Sequence, residues 1–450
     1  MILKNNKDKS ILIFGLGESG KSTFKYFYKK YNIYIWDDKK EIRKNFVKNY
    51  NAKLKNFNDI IWDKIYFIIL TPGISLKDKR LEIPIKKNIP IYRDLEFFSR
   101  KIDKDKVIAI TGTNGKSTTL ALISKILKNT NNPIFSGGNF KPPLLDALFK
   151  KKYFKYVLEL SSFQLESAPS FNSNISILLN ISEDHLERYG SIQNYAKIKK
   201  KIFVNSNKNQ TAIIGVDDKF SKKIYSEIKK NKKNVIPISV NKYLKKGIYF
   251  NKNTIIDNYY KSKNLNIDNY KTNFILENNK MNVLATYAVL KTMNLKKDFF
   301  IKTLNKFKPL KHRSQIIHKS KNLIVINDSK ATNLASTVHS VKSLNNIHLI
   351  LGGKIKSRNY AKLIELKSHI RKIYIIGESA NYLNKKLNIY FDCEVCKIMK
   401  TAIRVCLKDI KNYNFSTILL SPACSSYDQY VNFEDRGDQF IDLFKKFVNK

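Results

Sequence analysis

The sequence predicts an α/β protein built from parallel sheets whose strands alternate with helices. Short apolar runs rich in β-branched residues, such as SILIF, VIAIT and LIVIN, recur along the chain. Each is followed by a polar or glycine-containing turn and then by helical spacing, as in doubly wound sheets. A chain of 450 residues is too long for one hydrophobic core. Composition changes near residues 100 and 308 therefore predict three domains, over 1–100, 101–308 and 309–450.

The composition limits the classes of protein to which the chain can belong. Its formal net charge is +47, but the lysines are spread over the whole length, and no RNA-recognition signature or zinc finger occurs. We therefore interpret the lysines as solvated surface residues and expect no specific nucleic-acid partner. No apolar run approaches the roughly 20 residues that span a bilayer, and no signal-peptide pattern opens the chain. We expect a cytoplasmic protein with no membrane partner.

The cysteines predict no redox or metal site. Cys393 and Cys396 have the CxxC spacing, but neither a second CxxC nor a nearby histidine completes a metal site. We expect the four cysteines of the chain to be buried free thiols.

The first glycine turn, GLGESGKS at residues 15–22, matches two patterns at once. It follows the strand SILIF, and its three glycines spell the dinucleotide fingerprint, with the acidic Asp37 after the next strand. The same eight residues also match the general phosphate-loop pattern. A third interpretation is a turn that accepts the diphosphate of another nucleotide. The residues alone leave these alternatives open.

The second glycine turn is the stronger candidate for an ATP loop. A buried strand over Val107–Ile110 leads into the turn Thr111–Gly115, and Lys116 opens a helical stretch. Backbone N–H groups at a helix start, a lysine and a hydroxyl such as that of Ser117 together suit phosphate and Mg²⁺. The spacing is shorter than in the general pattern, because two residues instead of four separate the glycines.

Three downstream residues are also notable. Glu159 ends the strand KYVLE, and a carboxylate at a strand end beside a phosphate loop is a candidate Mg²⁺ ligand. His185 follows another strand in an acidic cluster, and Lys199 lies on a basic amphipathic helix that is also typical of a solvated lysine face. Farther along, residues 240–272 receive no predicted role. Four strands beyond the boundary near 308 predict the third α/β unit.

Taken together and in order, the motifs resemble those of the Mur ligases. The motifs are AITGTNGKSTT, ELSSFQLE, NISEDHLERYG, the helix at 195–199, the pair HR at 312–313, NDSKATN and SPACSSYDQYVNFEDRG. ELSSFQLE and the last stretch resemble the branch that adds D-glutamate to UDP-N-acetylmuramoyl-L-alanine in peptidoglycan synthesis. The resemblance implies an ADP-forming ligase with a Rossmann-like N-terminal domain, a central P-loop ATPase domain and a Rossmann-like C-terminal domain. We expect it to be a monomer. It assigns the turn at 15–22 to the UDP end of the substrate.

The resemblance also implies roles for individual residues. The catalytic residues would be Lys116, Glu159, His185 and Lys199. The ATP-binding residues would be Gly112, Thr113, Asn114, Gly115, Lys116, Ser117, Thr118, Asn279, Asn282, Arg313, Asp328 and Lys330. The substrate-binding residues would be Gly15, Leu16, Gly17, Asp37, Gly73, Asn139, Ser161 and Gln164, together with Thr332, Lys356, Ser426 and Phe433 in the D-glutamate pocket. Two Mg²⁺ ions are implied, one at Glu159 with Ser117 or Thr118 and one at His185 and Lys199, the lysine as a carbamate.

The sequence departs from the family pattern at three places. Phe140–Pro143 follow Asn139 where a further glycine is common, Lys354–Ile355 stand where an aspartate is often found, and Tyr427 occupies a commonly apolar position.

Three other functions account for fewer of these motifs. An NAD-dependent oxidoreductase would use the first turn with Asp37, but this function does not explain the loop at 111–119 or Glu159. A nucleic-acid-binding protein would rest on charge alone. A folate polyglutamate ligase would share the ATPase core, but the stretch at 421–437 argues against it.

Overall fold

The computed structural model describes residues 9–139, 141–149, 152–205, 210–231, 234–269, 277–355 and 359–448. These residues form two compact units. One contains the described residues of 9–181, 193–269 and 281–303, and the other contains those of 182–192, 277–280 and 304–448. Two sheets lie in the first unit and one in the second, so the prediction of three sheet-containing domains is confirmed. Within the described ranges, no helix is both long and apolar enough to cross a membrane.

The first sheet is parallel and has the strand order β3-β2-β1-β4-β5. Its strands are β1 (Ser10–Phe14), β2 (Asn32–Trp36), β3 (Lys53–Leu54), β4 (Ile65–Leu70) and β5 (Ile91–Tyr92). Its helices are α1 (Glu18–Phe27), α2 (Lys40–Tyr50), α3 (Glu82–Lys86) and α4 (Asp94–Ser99). Every residue of β1 is buried, as expected for a central parallel strand that is covered on both faces.

The second sheet has nine strands in the order β14-β13-β12-β11-β10-β9-β6-β8-β7. They are β6 (Val107–Thr111), β7 (Ile134–Gly138), β8 (Lys155–Glu159), β9 (Ile175–Leu178), β10 (Thr211–Gly215), β11 (Val235–Ser239), β12 (Ile248–Asn251), β13 (Thr254–Asp257) and β14 (Ser262–Asn266). The helices in this part of the chain are α5 (Lys116–Lys128), α6 (Ser162–Glu166), α7 (Leu186–Tyr189), α8 (Ile192–Lys200), α9 (Lys219–Asn231), α10 (Lys280–Thr292) and α11 (Lys297–Lys306), of which α7 belongs to the second compact unit.

The segment without a predicted role extends this second sheet. Strands β12, β13 and β14 form an antiparallel meander at its edge. Buried Asp257 at the end of β13 accepts hydrogen bonds from the Tyr287 hydroxyl on α10, at 3.1 Å, and from the N–H of Tyr260, at 2.9 Å. The meander is thereby fastened to α10, which also carries Asn282.

The third sheet has the order β15-β16-β20-β17-β18-β19, with β15 antiparallel at one edge. Its strands are β15 (Gln315–Lys319), β16 (Leu323–Asn327), β17 (Ile347–Gly352), β18 (Ile370–Ile376), β19 (Cys393–Lys397) and β20 (Ser416–Leu420). Its helices are α12 (Leu334–Lys342), α13 (Ala361–Ile364), α14 (Ala380–Leu387), α15 (Met399–Asp409) and α16 (Phe433–Val448). Six strands are observed where the sequence predicted four, because both outer strands, β15 and β19, were missed.

The cysteines lie in or beside this third sheet. All four are free thiols, and three of them are buried, whereas Cys393 is partly exposed. Burial raises the pKa of Cys396 to about 11 and that of Cys393 to about 12. The prediction of buried free thiols is therefore confirmed for Cys396, Cys406 and Cys424, but it is wrong about the burial of Cys393.

Candidate active site around the loop at 111–119

The loop between β6 and α5 has the backbone shape of an anion-binding turn. Gly112 and Gly115 have φ angles of 153° and 85°, which a residue with a side chain rarely adopts. α5 begins directly afterwards at Lys116, and the first N–H groups of a helix are not bonded within it. The Lys116 ammonium donates hydrogen bonds to the carbonyl oxygens of Gly112 and Thr113, each at 2.8 Å. A positive charge and a helix start therefore meet at one turn.

Glu159 lies beside this loop because β8 is the parallel neighbour of β6, with Glu159 opposite Ile110. The residue is only 3% exposed. Its Oε2 accepts a hydrogen bond from the Ser117 hydroxyl, and its Oε1 accepts one from the Asn139 side-chain amide at 3.1 Å. The structure thus brings together a carboxylate and an amide from the carboxyl ends of two neighbouring strands and a hydroxyl from the start of α5.

These donors fit a magnesium ion. Mg²⁺ prefers hard oxygen ligands and is usually held by one or two carboxylates together with substrate phosphates. Glu159 and Ser117 supply a carboxylate and a hydroxyl next to the anion-binding turn. In the part of the chain that the structure describes, no three His, Cys, Asp or Glu side chains cluster as a metal site.

Lys199 is a buried cation, although the lysines of its helix are also typical of a solvated basic face. The residue is 1% exposed, and its ammonium donates hydrogen bonds to the Gly112 carbonyl oxygen at 2.9 Å and to the Thr111 hydroxyl at 3.3 Å. It also lies 4.7 Å from the centre of the Tyr195 ring, a cation–π contact. As an unmodified amine, Lys199 therefore supports the loop from the protein side.

His185 belongs to the second compact unit. It has a positive φ of 55° at the start of α7. Its Nε2 lies 3.6 Å from a carboxylate oxygen of Asp184, and its Nδ1 lies 3.4 Å from one of Glu187. The predicted pairing of His185 with Lys199 at a second metal site stays a prediction.

The first glycine turn differs from the loop at 111–119 in the position of its lysine. Lys21 forms an exposed ion pair with Glu18 at 3.2 Å, whereas Lys116 is bonded to its own loop. The Leu16 N–H of the first turn donates to Asp37 Oδ2 at 2.8 Å. One N–H group of this turn is therefore already bonded to a carboxylate. Of the two glycine turns, the one at 111–119 therefore has the geometry suited to ATP phosphates.

The predicted substrate residues after Glu159 form the start of α6. Ser161 and Gln164 make a reciprocal capping box, in which each side chain accepts from the backbone N–H of the other. Gln164 is fully buried, whereas Ser161 is partly exposed. Of these two, Ser161 has the surface that a substrate can reach.

Arg93 is a buried residue that the sequence did not single out. Its guanidinium has no exposed surface, and it donates to Glu166 of α6 at 2.9 Å, to the Thr71 carbonyl at 2.7 Å and to the Ile74 carbonyl at 2.9 Å. It thereby joins the turn after β4, which contains the exposed Gly73, to the helix that follows Glu159. A single arginine in a charged sequence carries no signal that would have indicated this role.

In the third sheet, Asp328 is a buried carboxyl group that orders its surroundings. Its Oδ1 accepts from the Ser314 N–H at 3.0 Å, and its Oδ2 accepts from the hydroxyls of Ser340 and Ser421 at 2.7 and 3.2 Å. Burial raises the pKa of this group to about 6, and Arg313 acts in the opposite direction. The predicted ATP-binding residue thus fixes the turn that carries Arg313.

Two other predicted residues of this sheet are in direct contact. The Lys330 ammonium lies 3.7 Å from the centre of the Phe433 ring. Fully buried Arg436, which the sequence did not single out, donates to the Ser329 carbonyl at 2.8 Å and to the Cys424 carbonyl at 3.2 Å. Arg436 therefore holds the segments before Lys330 and Ser426 in place.

The remaining predicted residues occupy several environments. Ser426 is buried, Thr332 and Asn279 are partly exposed, and Asn282 accepts a hydrogen bond from the Thr119 hydroxyl at 3.2 Å. Gly17 is exposed at the first glycine turn, and Thr118 is partly exposed at the start of α5. Lys356, predicted in the D-glutamate pocket, lies outside the described residues.

Comparisons with known proteins agree with this geometry. The family model for the Mur ligase middle domain matches residues 110–290, and that for the "Mur ligase MurD-like, N-terminal domain" matches residues 9–93. The UDP-N-acetylmuramoylalanine–D-glutamate ligase of Rickettsia prowazekii is 37% identical over 448 residues, covering 98% of each chain. The ligase of the same name from Caulobacter sp. (strain K31) is 32% identical and covers 96% of this chain and 95% of its own.

Solved structures show the same fold at much lower sequence identity. The UDP-N-acetylmuramate-alanine ligase MurC of Thermotoga maritima has a TM-score of 0.61 at 16% identity and covers 98% of this chain and 100% of its own. The MurF ligase of Thermotoga maritima in complex with ADP has a TM-score of 0.60 at 14% identity, covering 100% of this chain and 97% of its own. The curated relatives exceed 30% identity over almost the whole length, and therefore this chain belongs to the Mur ligase family.

Proposed function

We propose that this protein joins D-glutamate to UDP-N-acetylmuramoyl-L-alanine with the conversion of ATP to ADP and phosphate. The relatives that align over nearly the whole chain carry the name of this ligase. The observation that carries the proposal is the convergence of the loop at 111–119 with buried Glu159 and Asn139. This convergence supports an ATP-phosphate site next to Asn139, the residue proposed to contact the muramoyl substrate.

The chemistry requires activation, because a carboxylate does not acylate an amine in water. A carboxylate oxygen of the L-alanine unit attacks the γ-phosphorus of ATP, the bond to the bridging oxygen breaks, and ADP leaves. The amine of D-glutamate then attacks the acyl phosphate, inorganic phosphate leaves, and the nitrogen loses a proton. Such transfers depend mainly on positioning and on the neutralisation of phosphate charge.

The residues of the loop supply that positioning and charge. Lys116 brings a cation to the β- and γ-phosphates, and the start of α5 directs N–H groups at them. Glu159 and Ser117 would hold Mg²⁺, which neutralises charge that develops on the transferring phosphoryl group. Asn139, which is bonded to Glu159, would orient the muramoyl end of the substrate.

The other predicted residues complete the proposal. Gly15, Leu16, Gly17, Asp37 and Gly73 would hold the UDP end, and Thr332, Lys356, Ser426 and Phe433 would hold D-glutamate. A second Mg²⁺ at His185 and carbamylated Lys199 belongs to the proposal, as do domain boundaries at 100 and 308. We also propose a monomer that acts in the cytoplasm, where ATP and nucleotide sugars are available.

The decisive experiment measures phosphate release from ATP with both substrates together and with each alone. The proteins are the wild type, Lys116→Ala and the matched control Lys21→Ala, which removes the lysine of the other glycine turn. We expect release that needs both substrates, is abolished in Lys116→Ala and is largely retained in Lys21→Ala.

Two results would contradict the proposal in different ways. Absence of substrate-dependent release from folded wild-type protein would refute the ligase reaction. Loss of ATP binding in Lys21→Ala with normal turnover in Lys116→Ala would place the ATP phosphates at the first turn and reverse the domain roles.

A further inference from the structure

Asn180 contacts the phosphate loop through both its backbone and its side chain. The residue comes two positions after the end of β9, which is the neighbour of β6 on the side opposite β8. The Thr113 N–H donates to the Asn180 backbone oxygen at 3.0 Å. The Asn114 N–H donates to Asn180 Oδ1 at 2.9 Å, and Asn180 Nδ2 donates to the Asn114 carbonyl oxygen at 3.2 Å. Three hydrogen bonds therefore join one residue to two consecutive loop residues.

The side-chain amide fixes the orientation of the two peptide planes on either side of Asn114. In a trans peptide, the C=O and the N–H of the same plane point in opposite directions. The Asn114 N–H is held toward Asn180, so the Thr113 C=O of that plane points away from it. This carbonyl accepts the hydrogen bond from the Lys116 ammonium at 2.8 Å.

The same argument applies to the next peptide. The Asn114 C=O is held toward Asn180 by Nδ2, so the Gly115 N–H of that plane points to the opposite side. The adjacent Gly115 has a φ of 85°, a conformation open to glycine, so the loop itself does not prevent this peptide from rotating. A fixed external partner is what selects one orientation.

We propose that Asn180 is a positioning residue for ATP: it sets the two peptide planes that orient Lys116 and the Gly115 N–H toward the phosphates. The inference deepens the proposed function and rests on the assignment of the ATP phosphates to the loop at 111–119. Asn180 acts through the loop rather than through the reacting atoms. Its removal therefore weakens the binding of nucleotides that carry β- and γ-phosphates and leaves other contacts intact.

The test compares the affinities of the full chain for ATP and AMP by titration calorimetry. AMP lacks the phosphates that the loop is proposed to hold. Asn180→Ala removes both side-chain hydrogen bonds, so the dissociation constant for ATP should rise roughly tenfold to hundredfold, and that for AMP should change less than about twofold. Asn180→Asp keeps the shape and the acceptor but places a carboxylate oxygen against the Asn114 carbonyl, so it should weaken ATP binding at least as much.

Asn172→Ala is the matched control. Its side-chain amide also donates to a backbone carbonyl, that of Asn205 at 2.7 Å, but away from the loop. We expect both affinities to be unchanged in this variant. Should Asn180→Ala fail to fold, the selective loss of ATP affinity in Asn180→Asp supports the proposal by itself.

Two outcomes overturn the inference. One is wild-type affinity for ATP in both Asn180 variants. The other is an equal loss of ATP and AMP affinity, which would indicate a general structural role. The binding assay needs no second substrate. If Asn180→Ala weakens ATP binding much more than AMP binding, and the wild-type protein shows no ligase turnover, the proposed reaction is refuted and the role of Asn180 is sustained.

Discussion

The ion pair between Arg93 and Glu166 predicts a large loss of stability when its carboxylate is removed. The Arg93 side chain has no exposed surface, and that of Glu166 is 8% exposed. Removing one partner of a buried pair typically costs about 3–5 kcal/mol, because the other charge stays buried. Arg93 retains its bonds to the Thr71 and Ile74 carbonyls, so we expect the lower end of this range, about 3 kcal/mol, for Glu166→Ala.

The assay is thermal unfolding of the full chain, and the chain offers an internal comparison. Lys87 and Asp63 form an ion pair at 2.7 Å whose side chains are 44% and 78% exposed. Exposed pairs contribute about 0–1 kcal/mol, so Asp63→Ala should hardly change the melting temperature. Glu166→Ala should lower it by roughly 5 °C or more, and Glu166→Gln should give an intermediate value.

The salt dependence provides a second readout. Salt screens exposed charges more than buried ones, so the small effect of Asp63→Ala should vanish at high salt, and that of Glu166→Ala should persist. Equal and small shifts of the melting temperature in Glu166→Ala and Asp63→Ala would refute the reasoning, because burial would then not determine how much an ion pair stabilises the fold.

Three further predictions follow from single side chains. Replacing Glu159 with Gln should lower turnover roughly hundredfold, since metal-based charge stabilisation is worth several kcal/mol, and should raise the Mg²⁺ concentration needed for half-maximal ADP formation; an unchanged Mg²⁺ dependence would contradict its role. Tyr287→Phe leaves buried Asp257 without one donor and should cost about 1–3 kcal/mol, measured by urea unfolding, whereas a change within error would show that the meander does not depend on this bond. Burial lowers the pKa of His348 to about 4, below its unfolded value of about 6.5. Its neutral form therefore stabilises the fold above pH 6.5, and this contribution, up to about 3 kcal/mol, is lost as the pH falls toward 4; His348→Gln should flatten that part of the stability–pH profile, and an unchanged slope would contradict the assignment.

The local units of the fold were predictable because their signals are local. The strand that begins at Val107, the turn and the helix that begins at Lys116 were read from consecutive residues, and the structure confirms each of them. Glu159 was identified for the same reason, since a carboxylate directly after an apolar strand lies at the carboxyl edge of a parallel sheet. The approach of Asn139 to Glu159 then follows from the pairing of adjacent strands.

What the sequence did not reveal depends on contacts between distant segments. Asn180 and Arg93 act on loops 66 and 22 residues away along the chain, and no spacing rule relates them. The strand Cys393–Lys397 was missed because β-branched and strongly apolar residues are sparse in it. For Lys199 the resemblance implies a carbamate, whereas nothing in the sequence indicates its burial or its hydrogen bond to the carbonyl oxygen of Gly112, 87 residues away.

The meander at the end of the second sheet also affects how this lysine-rich protein behaves at high concentration. The outermost strand, β14, has one buried residue, Leu265, and exposes Lys263, Asn264 and Asn266. An apolar edge strand would offer its unpaired backbone groups as a template for the strands of another molecule. An exposed lysine on a strand of only five residues makes such growth unfavourable. The segment without recognisable chemistry therefore ends the sheet in a form that resists self-association.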